Sequence, residues 1–264
     1  MAMAQPVDAR FESEEVAIRA IDLHDLRVAL GQGWSDFLSK RGDLVFIGVV
    51  YPLVVILAGM YVSQVAIVPL IFPLAAGLVL LGPAAASGFY EMARRREQGL
   101  DTSWRHFFDV IRGPAGLSIL ALTSIIALLF AVWIAVAWLV YANTLGPDFP
   151  TSVAAFIRSV LTTSRGWMLI VVGNLIGLCF AIVVLAISVV SFPMVVDKPK
   201  IGWNVAMHTS VRVARRSPMT TAVWGLIVVA LLLLGAIPAF VGLAVVLPVL
   251  GYATWHLYTR AVVR

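Results

Sequence analysis

The residues that could support chemistry in this chain are few, and they lie within or at the ends of apolar segments. Glu91 stands three residues before Arg94, and Asn174 lies between Gly173 and Gly177 in an apolar run. An intramembrane carboxylate can relay protons, but at the end of a span it is typically an ion-paired interface residue. An amide flanked by small residues is typical of close helix packing with one interhelical hydrogen bond. We therefore expect ion pairing at Glu91 and helix packing at Asn174, and we keep both as candidate intramembrane polar contacts.

The remaining reactive residues predict no catalytic centre. The single Cys179 excludes a disulfide within the chain and a cysteine-based zinc site. Of the four histidines only His256 stands near an apolar run, whereas transmembrane haem ligation needs axial ligands on facing helices. Phosphate-binding, nucleophile-elbow and zinc-protease motifs are absent. We expect no enzymatic activity, no catalytic or metal-binding residue and no cofactor, unless Glu91, Tyr90 and His256 share a buried pocket.

The composition of the chain is typical of a membrane protein. The chain has 264 residues, of which 61% are hydrophobic and 12% charged, whereas a soluble domain carries about 25% charged residues. This excludes a soluble enzyme, a disordered protein and a coiled coil, and it favours an all-α polytopic fold with six transmembrane helices. The expected spans cover residues 44–62, 66–90, 115–141, 166–192, 219–237 and 239–257, each near or above the roughly 20 residues that cross a bilayer. Tight hairpins are expected at Ser63 and Gln64 and at Ile237 and Pro238.

The distribution of basic residues predicts the orientation of these spans. Seventeen of the 19 Lys and Arg residues fall in segments on one side, and only Arg158 and Arg165 fall on the other. Because basic residues concentrate on the cytoplasmic side, we expect a bacterial inner-membrane protein with both termini in the cytoplasm. There is no signal peptide pattern. Residues 1–21 are expected to form a flexible cytoplasmic segment, and residues 22–264 a single membrane domain.

Four amphipathic segments lead straight into spans, with apolar residues at helical spacing. The four stripes are Leu23, Leu26, Leu30, Trp34 and Phe37; Trp104, Phe107, Phe108 and Ile111; Val153, Phe156, Ile157, Val160 and Leu161; and Trp203, Met207, Val211 and Ala214. The stripes end at breakers: Arg41 and Gly42, Gly113 and Pro114, Arg165 and Gly166, Ser217 and Pro218. Asp22 with Asp25 resembles a capping box, and Thr102 with Ser103 and Thr151 with Ser152 supply possible N-caps.

The segments match one another weakly in sequence but well in layout. Val28 and Ala29 align with Val205 and Ala206, which brings Gly48 onto Gly225 without a gap. Asp109 to Ile111 with Gly116 aligns with Ser159 to Leu161 with Gly166. We infer an internal repeat made of an interfacial helix followed by spans, an arrangement that some transporters use.

The interfacial helices have two possible roles. They bind anionic lipid of the cytoplasmic leaflet or a partner's helix, or they pack on their own bundle, which so regular a stripe favours. The candidate lipid or partner contacts are Trp34, Arg94, Arg95, Arg96, Trp104, Trp203, Arg212, Arg215 and Arg216.

Several stretches across roughly residues 20–261 together carry a family resemblance. They are Asp25-Leu26-Arg27, Gly33-Trp34-Ser35-Asp36-Phe37, Gly82-Pro83 with Gly88-Phe89-Tyr90-Glu91, Arg94-Arg95-Arg96-Glu97, Ser191-Phe192-Pro193-Met194 with Asp197, and Thr254-Trp255-His256-Leu257-Tyr258. The chain resembles an uncharacterised family of bacterial integral membrane proteins, a domain of unknown function. Members are sometimes labelled as related to cytochrome c oxidase subunit I, which implies a respiratory complex as partner. The alternation of surface helix and span is also similar to the membrane domain of glycerophosphodiester phosphodiesterases.

Two functions remain open at this point. The first is a non-enzymatic accessory protein that holds lipid or a membrane partner; the second is a transporter or channel for a lipophilic or uncharged solute. A hydrated path lined by Asn174, Ser188, Ser191 and Tyr51 would favour transport. A solid helix bundle with an apolar lateral groove would favour lipid or partner binding.

Overall fold

The computed structural model describes residues 16–39, 69–70, 73, 79, 82–146, 152–238 and 241–264. The helices of these residues are α1 (Leu23–Ser39), α2 (Gly82–Ala85), α3 (Ser87–Glu97), α4 (Asp109–Arg112), α5 (Gly116–Thr144), α6 (Val153–Thr162), α7 (Ser164–Ser188), α8 (Ser191–Asp197), α9 (Gly202–Arg216), α10 (Pro218–Ala236) and α11 (Leu243–Ala261), with 3-10 turns at Trp104–Phe108 and Pro199–Ile201. Among the described residues there is no strand, only an isolated β-bridge between Ile18 and Val262. The all-α prediction is confirmed.

Three helical segments are long and apolar enough to cross a membrane. They are α5 with 29 residues, α7 together with α8 with 34, and α10 with 19. At 1.5 Å per residue α5 is ~44 Å long, more than the ~30 Å hydrocarbon core of a bilayer. These candidate spans coincide with the spans expected over 115–141, 166–192 and 219–237.

The six-span count stays a prediction. The expected span 44–62, the turn at Ser63 and Gln64, the breaker at Arg41 and Gly42, and most of 66–90 lie outside the described residues. The last expected span, 239–257, corresponds to α11, which starts at Leu243 and is not among the helices apolar enough to cross. In the second half of α11, Tyr252 is buried in the protein interior, whereas His256 and Arg260 are half-buried.

α10 and α11 form the expected hairpin. α10 ends at Ala236 and α11 begins at Leu243. The two helices touch where both are glycine, because a Cβ on Gly242 would lie 2.8 Å from the carbonyl oxygen of Gly235. A side chain at either position would force the ends of the hairpin apart.

The fourth expected span contains a break that proline explains. α7 ends at Ser188 and α8 begins at Ser191. Pro193 has no amide hydrogen to donate to the carbonyl of Val189, and its ring crowds that carbonyl. The amide of Val190 donates instead to the Ser210 hydroxyl at 3.3 Å. The expected span 166–192 is therefore two helices that meet at a turn, which α9 contacts through Ser210.

α1 begins at the predicted capping box and lies along the second half of α11. The amide of Asp25 donates to Asp22 Oδ1 at 2.9 Å, and the amide of Asp22 donates to Asp25 Oδ2 at 3.0 Å. Gly33 lies against the backbone of α11: a Cβ there would be 2.6 Å from the amide nitrogen of Ala253 and 2.8 Å from the carbonyl oxygen of Val249. The absence of a side chain lets the two helices touch backbone to backbone.

α9 packs on α7 and α8 at the position that the sequence alignment equates with Gly33. Ser210 donates to the carbonyl of Ala186 at 2.8 Å and accepts from the amide of Val190. Ala29 of α1 and Ala206 of α9, aligned in the sequence, are both fully buried. In each pair a small residue meets two backbone groups four residues apart on the neighbouring helix.

The faces that pack coincide only in part with the predicted stripes, since Leu26 and Phe37 of the α1 stripe are buried. Trp34 and Trp203 are 47% and 39% exposed, whereas the buried faces contain Ala29, Gly33 and Ala206. Both tryptophans, which the sequence analysis names as candidate lipid or partner contacts, therefore lie at the surface.

The local signals meet with mixed outcomes. Ser152 caps α6 by accepting from the amide of Ala155 at 3.1 Å, as predicted, whereas the Ser103 side chain makes no cap bond. The breakers at Gly113 and at Ser217 separate helices as expected. Arg165 and Gly166 lie inside α7, whose cap is Thr163, so that breaker was placed too late.

Candidate functional site

Ten described polar residues, most of them charged, converge on one end of the bundle. We call this group the polar cluster; its members are Asp36, Glu91, Arg94, Arg95, Arg96, Glu97, Asp197, His256, Tyr258 and Arg264. They come from α1, α3, α8, α11 and the residues that follow α11. Two close contacts to α11 hold these elements: Gly33 of α1 against Ala253, and Gly251, whose Cβ would lie 2.6 Å from Phe89 of α3.

Asp36 joins three elements in the first part of the cluster. Its Oδ2 lies 2.8 Å from His256 Nε2, and its Oδ1 lies 3.1 Å from Arg96 Nη1. Arg96 also donates to the hydroxyl of Ser39. The Asp36 side chain is only 11% exposed, so its charge depends on these two partners for compensation.

Glu91 makes the second part within α3. Arg94 donates to both of its carboxylate oxygens, at 2.9 and 2.7 Å, and Arg95 lies 3.5 Å away. The hydrogen bonds to Glu91 raise the pKa of Arg94 above its ordinary value. The expected pairing of Glu91 with Arg94 is therefore present.

The ordered end of α3 aims these arginines. The helix stops at a Schellman-type turn in which Gly99 has a φ of 67° and Leu100 donates to the carbonyl of Arg95 at 2.9 Å. Arg95 then reaches the carbonyl of Asp101 at 2.8 Å.

Arg264 makes the third part. Its guanidinium donates to both oxygens of Asp197, at 3.0 and 3.1 Å, and to Glu97 at 2.6 Å. It also stacks 5.1 Å from the centre of the Trp255 ring. Partial burial lowers the pKa of Arg264, but the hydrogen bonds to Asp197 and Glu97 outweigh it and leave the pKa raised. Such bidentate contacts fix geometry as well as charge.

The carboxylates of Asp197 and Glu97 also accept hydrogen bonds from aromatic side chains. Tyr258 donates to Asp197 Oδ2 at 2.7 Å, and the Trp255 indole donates to Glu97 Oε1 at 2.8 Å. Each acid of the cluster thus carries a cationic partner and, in two cases, an aromatic donor. This arrangement stabilises the helix junction, and it does not present a free acid or base for catalysis.

Tyr90, Glu91 and His256 do not form a common site. Glu91 faces Arg94 and Arg95, His256 faces Asp36, and the Tyr90 hydroxyl pairs with Thr254. Among the described residues there is also no group of three or more His, Cys, Asp or Glu side chains that could hold a metal ion.

The structure divides the candidate lipid contacts into two sets. Arg94, Arg95 and Arg96 belong to the polar cluster, and Arg212 donates to the carbonyl of Val16 at 3.2 Å. Arg215 and Arg216 lie exposed in the last turn of α9. The three tryptophans, Trp34, Trp104 and Trp203, are all exposed at the surface.

Sequence reasoning missed Asp36, Asp197 and Arg264 as members of a site. Asp36 and Asp197 stood inside the stretches that carry the family resemblance, as did His256 and Tyr258. Their position in those stretches was the available signal, because the fold can bring polar residues of separate stretches together at one site. Arg264 had no such signal, since it lies beyond those stretches.

The opposite end of the bundle, where α5 ends and α7 begins, is apolar and open. A groove of about 290 Å³ lies between α5, α6 and α7, lined by Pro69, Pro73, Trp133, Ala137, Val140, Phe156, Val160, Leu169, Ile170, Gly173 and Asn174. Trp133 donates to the carbonyl of Pro73 at 3.1 Å. A second groove, of about 300 Å³, lies between α5 and α7 beside it.

Asn174 corrects one expectation and Gly177 confirms another. The hydrogen bond that the structure gives to Asn174 runs from its amide to the carbonyl of Ile170, one turn earlier in the same helix, at 2.7 Å. It is not the expected interhelical bond. Gly177 does allow close packing, because a Cβ there would lie 2.9 Å from the Trp133 ring of α5.

Comparison with known proteins finds one family model that is similar to the middle of the chain. Residues 71–197 match the family model described as "Predicted integral membrane protein (DUF2189)". That segment runs through α2 to α8 and contains Glu91, the three arginines and Asp197. No curated protein and no solved structure matches the chain. The match supports the resemblance to an uncharacterised integral membrane domain of unknown function over these residues.

Proposed function

We propose that this integral membrane protein is a non-enzymatic accessory protein that holds lipid or a membrane partner on its apolar flanks. The observation that carries this proposal is the separation of its polar groups. The charged residues of the polar cluster pair with one another at one end of the bundle, while the other end presents apolar grooves. A bundle of this kind offers hydrocarbon surface to a ligand and little else.

Two of the polar residues named for a transport path, Ser188 and Ser191, are buried within the bundle, which supports the accessory function over transport. Asn174 and Ser191 are separated by 17 positions along α7 and α8, which corresponds to ~25 Å of helix. Ser191 is fully buried and donates to the carbonyl of Ile187 at 2.6 Å. Ser188 is also buried, and Tyr51 lies outside the described residues.

The exposed tryptophans and arginines supply surface contacts for this role. Trp34, Trp104 and Trp203 have the amphipathic rings that favour a membrane interface, and Arg215 and Arg216 supply charge for anionic headgroups. We place the end with the polar cluster in the cytoplasm of a bacterial inner membrane, on the distribution of Lys and Arg in the sequence. A respiratory complex remains the partner that the family label suggests.

We also propose that the chain contains an internal repeat. Gly33 on α11 and Ser210 on α7 and α8 make matching contacts at aligned positions. Gly116 and Gly166, aligned in the sequence, each leave room for a carbonyl of the preceding helix, that of Ile111 and that of Val160. Two aligned pairs with matching contacts support a duplication.

Native mass spectrometry of the full chain, released from its own membrane with lipid retained, tests the function. A stoichiometric protein partner or a retained lipid is the expected result. A protein that emerges alone would contradict the proposal.

The alternative is a transporter for a lipophilic or uncharged solute. The feature that favours it is the groove in which Asn174 faces Pro69 and Pro73 of the second expected span, since broken helices line some transport sites. Flux of a small uncharged solute into liposomes that depends on Asn174 would establish it. Flux that is unchanged in Asn174→Ala would remove it.

A further inference from the structure

The groove between α5 and α7 has the layout of a single-chain lipid site. Its apolar lining consists of Val136, Leu139, Val140, Met168 and Val172, and two polar residues at the end of α5, Asn143 and Thr144, line it as well. The groove lies at the end of the bundle opposite the polar cluster. At about 300 Å³ it falls at the lower limit of ligand pockets, ~300–1,000 Å³.

An arginine stands above this groove on the same helix face. Arg165 precedes Met168 by three residues and Val172 by seven, the spacing that places side chains on one side of a helix. Arg165 is exposed in the first turn of α7. Within the described part of the chain, Arg165 has no ion pair. A positive charge therefore lies where the apolar groove meets the polar end of the helices.

We infer that this groove binds one anionic phospholipid, with an acyl chain between α5 and α7 and the phosphate beside Arg165. This inference rests on the proposed function and names its ligand class and its site. The size of the groove favours an acyl chain over a partner helix, because a helix with its side chains is about 10–12 Å across. The arginine favours an anionic headgroup, to which a guanidinium can donate two hydrogen bonds.

Photolabelling of the full chain in nanodiscs tests the site. The probe is phosphatidylglycerol that carries a diazirine near the end of one acyl chain, with phosphatidylcholine carrying the same group as comparison. We expect phosphatidylglycerol to label Leu139, Met168 or Val172 in preference to phosphatidylcholine. Arg165→Gln should lower this labelling about fivefold, the loss expected when one basic residue near an anionic headgroup is removed.

Two matched controls separate the site from general lipid contact. Arg158→Gln removes the other exposed arginine of that end, on α6, and should leave the labelling unchanged. Val172→Trp should fill the groove and abolish the label. Val171→Trp adds the same ring at the preceding position of α7, which is 53% exposed, and should leave the label in place.

Equal labelling by the two lipids, equal effects of Arg165→Gln and Arg158→Gln, or a label on other helices would overturn this site. The proposed function survives those results when a lipid or partner is still retained in native mass spectrometry. A protein that retains neither overturns both. Thermal unfolding of each variant, followed by tryptophan fluorescence, verifies that labelling is compared between folded proteins.

Discussion

Two close helix crossings in this molecule are made in different ways. The first joins α1 to α11, and the second joins α9 to α7 and α8. In the first, the absence of a side chain at Gly33 lets the backbones of the two helices touch. In the second, Ser210 keeps a hydroxyl and uses it to bond both backbone groups that it meets. A close crossing can therefore be made by absence of a side chain or by a small polar one.

The pairs also differ three residues further along. Asp36 in α1 holds His256 and Arg96, while the aligned residue of α9 is Val213, which is fully buried in apolar contacts. One crossing thus supports a charged junction and the other a hydrophobic one. Similar geometry leaves the chemistry of the junction free to vary between the two parts of the molecule.

The largest expected effect comes from closing the space at Gly33. Gly33→Ala places a methyl group against the backbone of Ala253 and Val249, which no rotamer change can relieve, and should destabilise the protein by about 3 kcal/mol. Gly31→Ala is the control, since nothing lies within 4 Å of its Cβ position. It should stabilise the helix slightly. Thermal unfolding in detergent measures both, and equal effects would refute the backbone contact.

Asp36→Asn should have the next largest effect. It leaves Arg96 and His256 without their carboxylate, at a cost of about 2 kcal/mol. Ser35→Ala, at an exposed neighbouring position of α1, controls for changes in helix propensity. A double-mutant cycle with His256→Gln measures the coupling between the two residues, and zero coupling would show that the 2.8 Å contact contributes nothing.

Ser210→Ala should destabilise by about 1–2 kcal/mol, because it removes two hydrogen bonds and leaves the buried amide of Val190 unsatisfied. Thr209→Val is the control: the Thr209 hydroxyl donates only within its own helix, to Val205 at 2.8 Å. Equal unfolding temperatures for Ser210→Ala and Thr209→Val would mean that α9 crosses without help from the hydroxyl.

The smallest expected effect is at the capping box of α1. The pKa of Asp22 is lowered from its ordinary 3.8, first by the hydrogen bond from the Asp25 amide. A lowered folded-state pKa means that this stabilisation is present above pH 3.8 and is lost as the pH falls through the lowered value. Asp22→Asn should therefore reduce the difference in unfolding temperature between pH 7 and pH 3. α9 has no carboxylate cap, so a substitution of Gly202 should leave this difference in unfolding temperature unchanged. An equal reduction at Gly202 would contradict the capping box as its origin.

The sequence was sufficient for those features that depend on periodicity and length. The spans at α5, α7 and α10, the hairpin between α10 and α11 and the caps at Asp22 and Ser152 all follow from apolar runs and short-range signals. The break between α7 and α8 was visible as Pro193, but its consequence depended on Ser210, 17 residues later.

The polar cluster could not be derived from the sequence in the same way. Pairs such as Asp36 with His256, or Glu97 with Arg264, are far apart in the chain, and no spacing rule predicts them. The stripes of α1 and α9 likewise did not predict the small residues at the helix crossings, since hydrophobicity alone favours large residues at an interface. The structure shows that Ala, Gly and Ser make these contacts because the backbones lie so close.

The polar cluster has a consequence for the biosynthesis of the protein. His256 and Arg264 are translated more than 150 residues after Arg96 and Glu97 and 220 after Asp36. The early acids and arginines therefore enter the nascent chain without their late partners, and the junction closes only when α11 is complete. A chain that stops before residue 256 lacks the partners that α11 and Arg264 supply to Asp36, Glu97 and Asp197, so its junction stays incomplete.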